Sequence, residues 1–185
     1  FLADVALGKE DVWVGRRVVT VGGGFTSMDC VRTVIRLGSE RSVMTYRRTV
    51  NEIPVEELEL EEAEIEGVEI EYMVTPTRVL DDGKGRVRGI ELVRNELGEP
   101  DASGRRRPVP IEGSEFVIDC DMVIEAIGQK QDNRFLGDLF PNVDRRGVPL
   151  LDQNLKTELP NVWAAGDYVI NPTNFISAIG EGKRV

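Results

Sequence analysis

The chain has 185 residues, 41% of them hydrophobic, enough for one compact domain with a core and part of a second. Thirty-three acidic against 23 basic residues give a net charge of −10, which argues against a general nucleic-acid binder, because phosphate neutralisation needs a dense basic face. No apolar run approaches the ~18 residues of a membrane span and no signal-like segment opens the chain, so a soluble, cytoplasmic protein is expected.

Phe1 to Gly15 reads as a linker or short helix, followed by Arg16-Arg17 and the buried strand Val18-Val19-Thr20-Val21. Gly22-Gly23-Gly24 breaks the strand. From Thr26 to Leu37, Met28, Val31, Val34, Ile35 and Leu37 recur at helical spacing, and Gly38 stands where a left-handed C-cap belongs. Ser42 to Tyr46 reads as a second strand, ending in Arg47-Arg48. Pro54 suits the first position of a helix running to about Glu66, with Val55, Leu58 and Ile65 as its apolar stripe and Gly67 as its stop. Ten glutamates lie between Glu52 and Glu71 and read as a solvated face, which is what a charge run usually is. Val68, Ile70 and Tyr72 alternate with Glu69 and Glu71 as in a third strand.

From Thr75 the pattern turns antiparallel, with Arg78-Val79-Leu80, a turn at Asp81 to Gly85, and Val87 to Val93 forming a hairpin. A polar loop with Gly98, Pro100, Gly104, Pro108 and Pro110 is expected next. Its triple Arg105-Arg106-Arg107 reads as a solvated loop tip or partner contact in preference to a ligand phosphate contact. Strands at Phe116-Val117-Ile118 and Met122-Val123-Ile124 lead into Ala126-Ile127-Gly128. Beyond Gln129 come a turn at Arg145-Arg146-Gly147, a strand from Asn161 to Ala165, the pair Gly166-Asp167 and a helix from about Thr173. This tail is too short for its own core and resembles the returning end of a domain that begins upstream of Phe1.

Several chemistries are excluded. The chain has no histidine, which removes Ser-His-Asp and Cys-His hydrolases and the common His-based metal sites. Cys30 and Cys120 stand far apart with no C-x-x-C, so no local redox disulfide, iron–sulfur or zinc knuckle can form. Hydride transfer escapes this restriction, because it is a cofactor's chemistry and the protein supplies position and field.

The segment Gly22-Gly23-Gly24-Phe25-Thr26-Ser27 gives G-x-G-x-x-S directly after a strand and at the start of a helix. In a dinucleotide-binding reading, Gly22 makes the tight turn, Gly24 admits the pyrophosphate, and Ser27 replaces the third small residue that lets helix and strand pack. The helix N-terminus then faces the phosphates. The competing reading is a tight turn without a ligand. At the end of the second strand, an NAD site usually places Asp or Glu for the ribose hydroxyls, whereas an arginine accommodates the 2′-phosphate of NADP. Tyr46-Arg47-Arg48 stands there, which favours NADP and disfavours S-adenosylmethionine; two exposed arginines without a ligand are the alternative.

The run VGGGFTSMDCVRTVIRLG, the YRRT after it, EIPVEELELEEAEIEGVEI, AIGQ, and the closing NVWAAGDYVINPTNFISAIGEGKRV together resemble the small subunit of glutamate synthase and the similar flavin half of dihydropyrimidine dehydrogenase. Nearly the whole chain is covered, in order. The resemblance implies a nicotinamide domain inserted into an FAD domain, with electrons passing from NADPH to FAD and on to iron–sulfur clusters or a larger electron-accepting subunit. It implies that Gly22, Gly23, Gly24, Phe25, Thr26 and Ser27 hold the NADPH pyrophosphate, Arg47 and Arg48 the 2′-phosphate, and Ala126, Ile127 and Gly128 the crossing between domains on the nicotinamide side. Gly166-Asp167 is then the second FAD motif, its carboxylate on a flavin ribityl hydroxyl. The helix after Pro172, opening on Thr173, Asn174 and Phe175, points its N-terminus at the flavin pyrimidine edge and stabilises negative charge on reduced flavin. Read without the resemblance, Asp167 is an ordinary turn or cap residue.

The expected fold is therefore a Rossmann-like three-layer α/β nicotinamide domain with an antiparallel β-meander over 15–128, preceded by a linker over 1–14. The C-terminal piece of an FAD-binding domain follows over 129–185. Val50 stands where the family usually places a further arginine, so the NADPH preference is expected to be smaller than in typical members. In the family, the first FAD glycine motif and the cluster cysteines precede the point where this chain begins, so both are expected upstream of Phe1, and the chain alone is expected at most to bind nucleotide. Two alternatives remain: a thioredoxin-reductase-like flavoenzyme, disfavoured by the cysteine spacing, and an NADP(H)-sensing or scaffold module without turnover.

Overall fold

The apolar run Val18–Val21 reads as continuous hydrophobicity because strand β1 (Arg17–Val21) is covered on both faces, as inner parallel strands are. The computed structural model describes residues 1–100, 104–129, 132–136, 139–170 and 175–185, and the chain divides into two units, 1–127 and 128–185. In the first, helix α1 (Leu2–Ala6) precedes β1, which leads through the glycine turn into α2 (Phe25–Arg36) and β2 (Arg41–Tyr46). Helix α3 (Glu57–Ile65) and β3 (Val68–Tyr72) follow. Next come β4 (Val74–Asp81), β5 (Val87–Pro100), β6 (Arg106–Pro110) and β7 (Phe116–Asp119), and β8 (Met122–Glu125) closes the unit. Strands β3-β2-β1-β8 form one sheet in that order, with every pairing parallel.

Alternation along the parallel strands sends successive side chains into two different cores. On one face Met44 and Val68 meet Met28 and Val31 of α2 and Leu60 and Ala63 of α3. On the other, Val19, Val21 and Val43 meet Val74, Ile90, Leu92, Ile118 and Cys120 of the antiparallel layer. The three-layer α/β fold expected from the sequence is present, with the β-meander as its third layer. Truncating a fully buried residue such as Met28 or Ile90 to Ala at either interface is expected to cost about 2–5 kcal/mol.

Helix α2 ends as its sequence dictates. Gly38 adopts φ +98°, its N–H donates to Ile35 O, and the Ser39 N–H donates to Val34 O at 3.0 Å, which is a Schellman motif. Helix α3 differs from expectation. It begins at Glu57 with Glu56 as N-cap, after a 3-10 turn at Val50–Glu52, not at Pro54. Its buried residues are Leu60 and Ala63, while Leu58 and Ile65 of the expected stripe are exposed. A nine-residue helix so rich in glutamate offers only a narrow apolar face, and the α2 interface selects it.

Much of the glutamate run is paired with arginines. Glu66 accepts from Arg32 and Arg36, Glu69 from Arg41, and Glu71 from Arg94. The Arg32 and Arg36 guanidinium groups hold the Glu66 carboxyl down from 4.5 to about 2. A depressed folded-state carboxyl contributes stability above its unfolded value and loses it as pH falls through the folded value. In Glu66→Gln, the fall in stability between pH 4.5 and about 2 is therefore expected to be shallower than in the parent chain, as measured by urea unfolding across that range.

The antiparallel layer is larger than the expected hairpin. The region expected to be a polar loop is itself a second hairpin, in which β5 runs on through Gly98 to Pro100 and pairs with β6, carrying Pro108 and Pro110. Proline is tolerated there because β6 is an edge strand. Strand β5 thus pairs with β4, with β7 along its first half and with β6 along its second.

In the second unit, the turn at 144–147 is closed by Gly147 N–H donating to Asp144 O and by a bridge between Val143 and Pro149. The strand expected over 161–165 is reduced to an isolated bridge between Lys156 and Trp163. Helices α4 (Asp167–Ile170) and α5 (Phe175–Gly182) end the chain. Among the described residues no helix is long and apolar enough to cross a membrane.

Candidate nucleotide-binding site

The three glycines after β1 have three different physical roles. Gly22 donates its N–H to Thr45 O at 3.0 Å and adopts φ +139°, and a Cβ there would lie 2.4 Å from both Ala126 O and Ser27 Oγ. Gly23 sits on the Tyr46 ring, where a Cβ would lie 2.2 Å from Cδ2. Gly24 has neither constraint. It is the extended N-cap of α2, and its Cβ position has nothing within 4 Å. Gly22 and Gly23 are thus demanded by the chain's own packing, whereas the open side of Gly24 is not explained by any neighbour. Gly24 supplies no side-chain cap, so the first-turn N–H groups of Phe25, Thr26 and Ser27 have no side-chain acceptor there. Such a terminus is suited to an anion.

Ser27 occupies the place of the third small residue and is fully buried. Its hydroxyl donates to Ala126 O at 3.3 Å, and the Ala126 N–H donates to Val21 O at 2.8 Å, so α2 and the end of β8 are fastened together beneath the glycine turn. Ile127, next in the chain, is 70% exposed. Gly128 adopts φ +93° and opens the second unit.

The two arginines after β2 part company. Arg47 is exposed and its guanidinium makes no hydrogen bond or ion pair with any described residue. Arg48 is 4% exposed and donates from Nε to Arg106 O at 2.7 Å, while its own carbonyl accepts from the Met73 N–H. Arg48 braces the antiparallel layer against the loop, so a clamp built equally from both side chains does not match this geometry. After them, Thr49 and Glu52 form a capping box, and the Thr49 hydroxyl holds the Glu52 carboxyl below its ordinary value. That carboxylate is engaged by its own turn.

The structural roles of two residues in this region escaped the sequence reading. Tyr46 wedges its ring under Gly23 and donates its hydroxyl to Glu52 O at 2.7 Å, joining the glycine turn to the loop after β2. Asn95 is 5% exposed in mid-strand and donates from Nδ2 to Arg47 O at 3.0 Å. An asparagine inside an otherwise β-favouring run was the signal available for the latter.

Cys30 lies on α2 and Cys120 between β7 and β8, both free and buried. Burial pushes both thiols up to about 11. Neither is a thiolate at neutral pH, so native protein is expected to resist iodoacetamide, with both cysteines modified only after denaturation; labelling is read by intact mass.

In the second unit, Gly166 adopts φ +71° and donates its N–H to Glu181 Oε2 on α5 at 2.8 Å. Asp167 is the first residue of α4. Phe175 is the first residue of α5 and 88% exposed, while Thr173 and Asn174 lie outside the described residues.

The model of the pyridine nucleotide-disulphide oxidoreductase family matches residues 3–182. The NADPH-Fe(3+) oxidoreductase subunit beta of Geobacter sulfurreducens is 43% identical over 206 residues, covering 100% of this chain and 30% of that protein. The glutamate synthase [NADPH] small chain of Escherichia coli is 38% identical over 175 residues, covering 92% of this chain and 37% of that one. The chain therefore spans about a third of the length of these relatives. Among solved structures, the thioredoxin reductase of T. acidophilum superposes with a TM-score of 0.70 at 23% identity, over 99% of this chain and 53% of that one, which speaks for the fold alone.

Proposed function

We propose, from the premise that this chain belongs to the pyridine nucleotide-disulphide oxidoreductase family, that it is the NADPH-binding part of a flavoprotein oxidoreductase of the glutamate synthase small-subunit type. Residues 15–128 are the nucleotide domain, 1–14 a linker, and 129–185 the C-terminal segment of an FAD-binding domain. The observation that carries this reading is Gly24, whose open Cβ position stands at the uncapped N-terminus of α2.

The α2 N–H groups and helix dipole receive the pyrophosphate, Gly24 lets it approach the backbone, and Arg47 offers its guanidinium to the 2′-phosphate. Arg48, Tyr46 and Ser27 hold these groups in place. Ala126, Ile127 and Gly128 carry the chain past the nicotinamide end. Asp167 would offer its carboxylate to a flavin hydroxyl, and Thr173, Asn174 and Phe175 at the start of α5 would help to hold the flavin. Bound together, a nicotinamide and a flavin would supply hydride-transfer chemistry. No protein acid or base is needed for that transfer, in keeping with a chain that lacks histidine. The electron acceptor would be a larger partner subunit or iron–sulfur centres elsewhere in the assembly, a reading supported by relatives named as a subunit beta and a small chain. Two free buried thiols suit a reducing compartment, so a cytoplasmic location belongs to the same proposal.

The test is turnover by the full-length protein with added FAD and ferricyanide as electron acceptor. Oxidation of NADPH in preference to NADH is the expected outcome. Tight NADPH binding without turnover would instead make the protein a sensor or scaffold. A thioredoxin-reductase-like dithiol mechanism is disfavoured, because Cys30 and Cys120 lie on separate elements with thiols pushed up to about 11.

A further inference from the structure

The triple arginine at 105–107 is not a distant loop tip. Arg106 begins β6, and its carbonyl accepts from Arg48 Nε at 2.7 Å. The hairpin of β5 and β6 is rooted at Asn95, which donates its side-chain N–H to Arg47 O and its backbone N–H to Met73 O, while the Met73 N–H donates to Arg48 O. The root of the hairpin and the loop after β2 are therefore one hydrogen-bonded unit at the carboxyl end of β2, the end of a parallel sheet where ligands bind.

The arginines of residues 1–127 also differ in how they are engaged. Arg16, Arg32, Arg36, Arg41, Arg78 and Arg94 are paired with glutamates. Arg106 donates to the carbonyls of Leu97 and Gly98, which fixes the hairpin's own backbone. Arg47 and Arg107 are exposed, and neither guanidinium has a hydrogen bond or ion pair among the described residues. In a chain of net charge −10, these two exposed cations are the immediate chain neighbours of Arg48 and Arg106, the residues that meet in the Arg48 Nε–Arg106 O hydrogen bond.

We propose that the β5–β6 hairpin forms the second wall of the 2′-phosphate site and that Arg107 is a specificity-determining residue acting with Arg47. This rests on the NADPH reading above. A phosphate bracketed by two guanidiniums accepts charge-assisted hydrogen bonds from both, whereas a ribose hydroxyl in its place draws little from either.

The experiment is calorimetric titration of the full chain with NADPH and NADH, for the parent protein, Arg107→Ala, Arg47→Ala, the double variant and Gly24→Val. Arg107→Ala is expected to weaken NADPH roughly threefold to thirtyfold and to leave NADH within about twofold. The double variant should lose less than the product of the two single losses, as expected when two groups share one phosphate. NADPH affinity unchanged in Arg107→Ala while Gly24→Val abolishes binding overturns the hairpin proposal and leaves the NADPH reading intact. Equal loss of NADPH and NADH also overturns it, since the hairpin then acts through the fold or the shared part of the nucleotide. Absence of NADPH binding by the parent chain, or full binding by folded Gly24→Val, removes the NADPH reading and this inference together.

Discussion

Gly24→Val is expected to abolish NADPH and NADH binding alike while the domain stays folded. The position tolerates a side chain in the free protein, because its backbone is extended and nothing lies within 4 Å of the Cβ site. The change costs the helix only the difference between glycine and a poor N-cap, about 0.5–1 kcal/mol. A nucleotide pyrophosphate, by contrast, must approach the very backbone that the valine branches would cover. Gly22→Ala and Gly23→Ala behave differently, because their side chains would strike Ala126 O and the Tyr46 ring. Overpacking of that kind costs about 1–3 kcal/mol, and these variants are expected to lose stability before binding can be judged. Thermal unfolding and calorimetric titration of the three variants separate the cases. A folded Gly24→Val that binds NADPH as the parent does would remove the glycine turn from the site.

This contrast shows what the sequence could and could not reveal. The order strand, glycine turn, helix, strand was legible because each boundary carries its own local signal: a continuous apolar run to Val21, helical spacing from Met28, and a Schellman glycine at Gly38. The division of labour among the three glycines was not legible, since it depends on Tyr46 and Ala126, which the chain brings to the turn from distant positions. Likewise Arg47 and Arg48 are equivalent as letters, and only the hairpin that meets Arg48 distinguishes them. The second hairpin itself was read as a loop because its glycines and prolines are ordinary loop signals, acceptable here only at a sheet edge. Leu58 and Ile65 were misplaced because their stripe was phased on Val55, which is buried but precedes the helix that starts at Glu57 and so does not mark its inner face.

The substitution that separates a nicotinamide phosphate site from a generic dinucleotide fold is Arg47→Ala. The 2′-phosphate of NADPH is largely dianionic at neutral pH, and an exposed guanidinium can give it one or two charge-assisted hydrogen bonds that NADH cannot accept. Each such bond contributes on the order of 1.5–3 kcal/mol when well formed, which corresponds to roughly tenfold to a hundredfold in affinity. Arg47 is exposed, so solvent and salt screening move the expected loss toward tenfold, and the difference between parent and variant should shrink further as ionic strength rises. Val50 contributes no additional cation, so a modest native preference for NADPH over NADH is expected. Arg48→Ala is the necessary control. Its guanidinium is buried against the Arg106 carbonyl, so its removal should lower the melting temperature and weaken both nucleotides together. Selective loss of NADPH in Arg47→Ala, with NADH held within about twofold, is the outcome expected from a direct phosphate contact. Parallel loss of both nucleotides in Arg47→Ala, with the fold intact, would place this arginine on the shared pyrophosphate and remove it from the preference for NADPH.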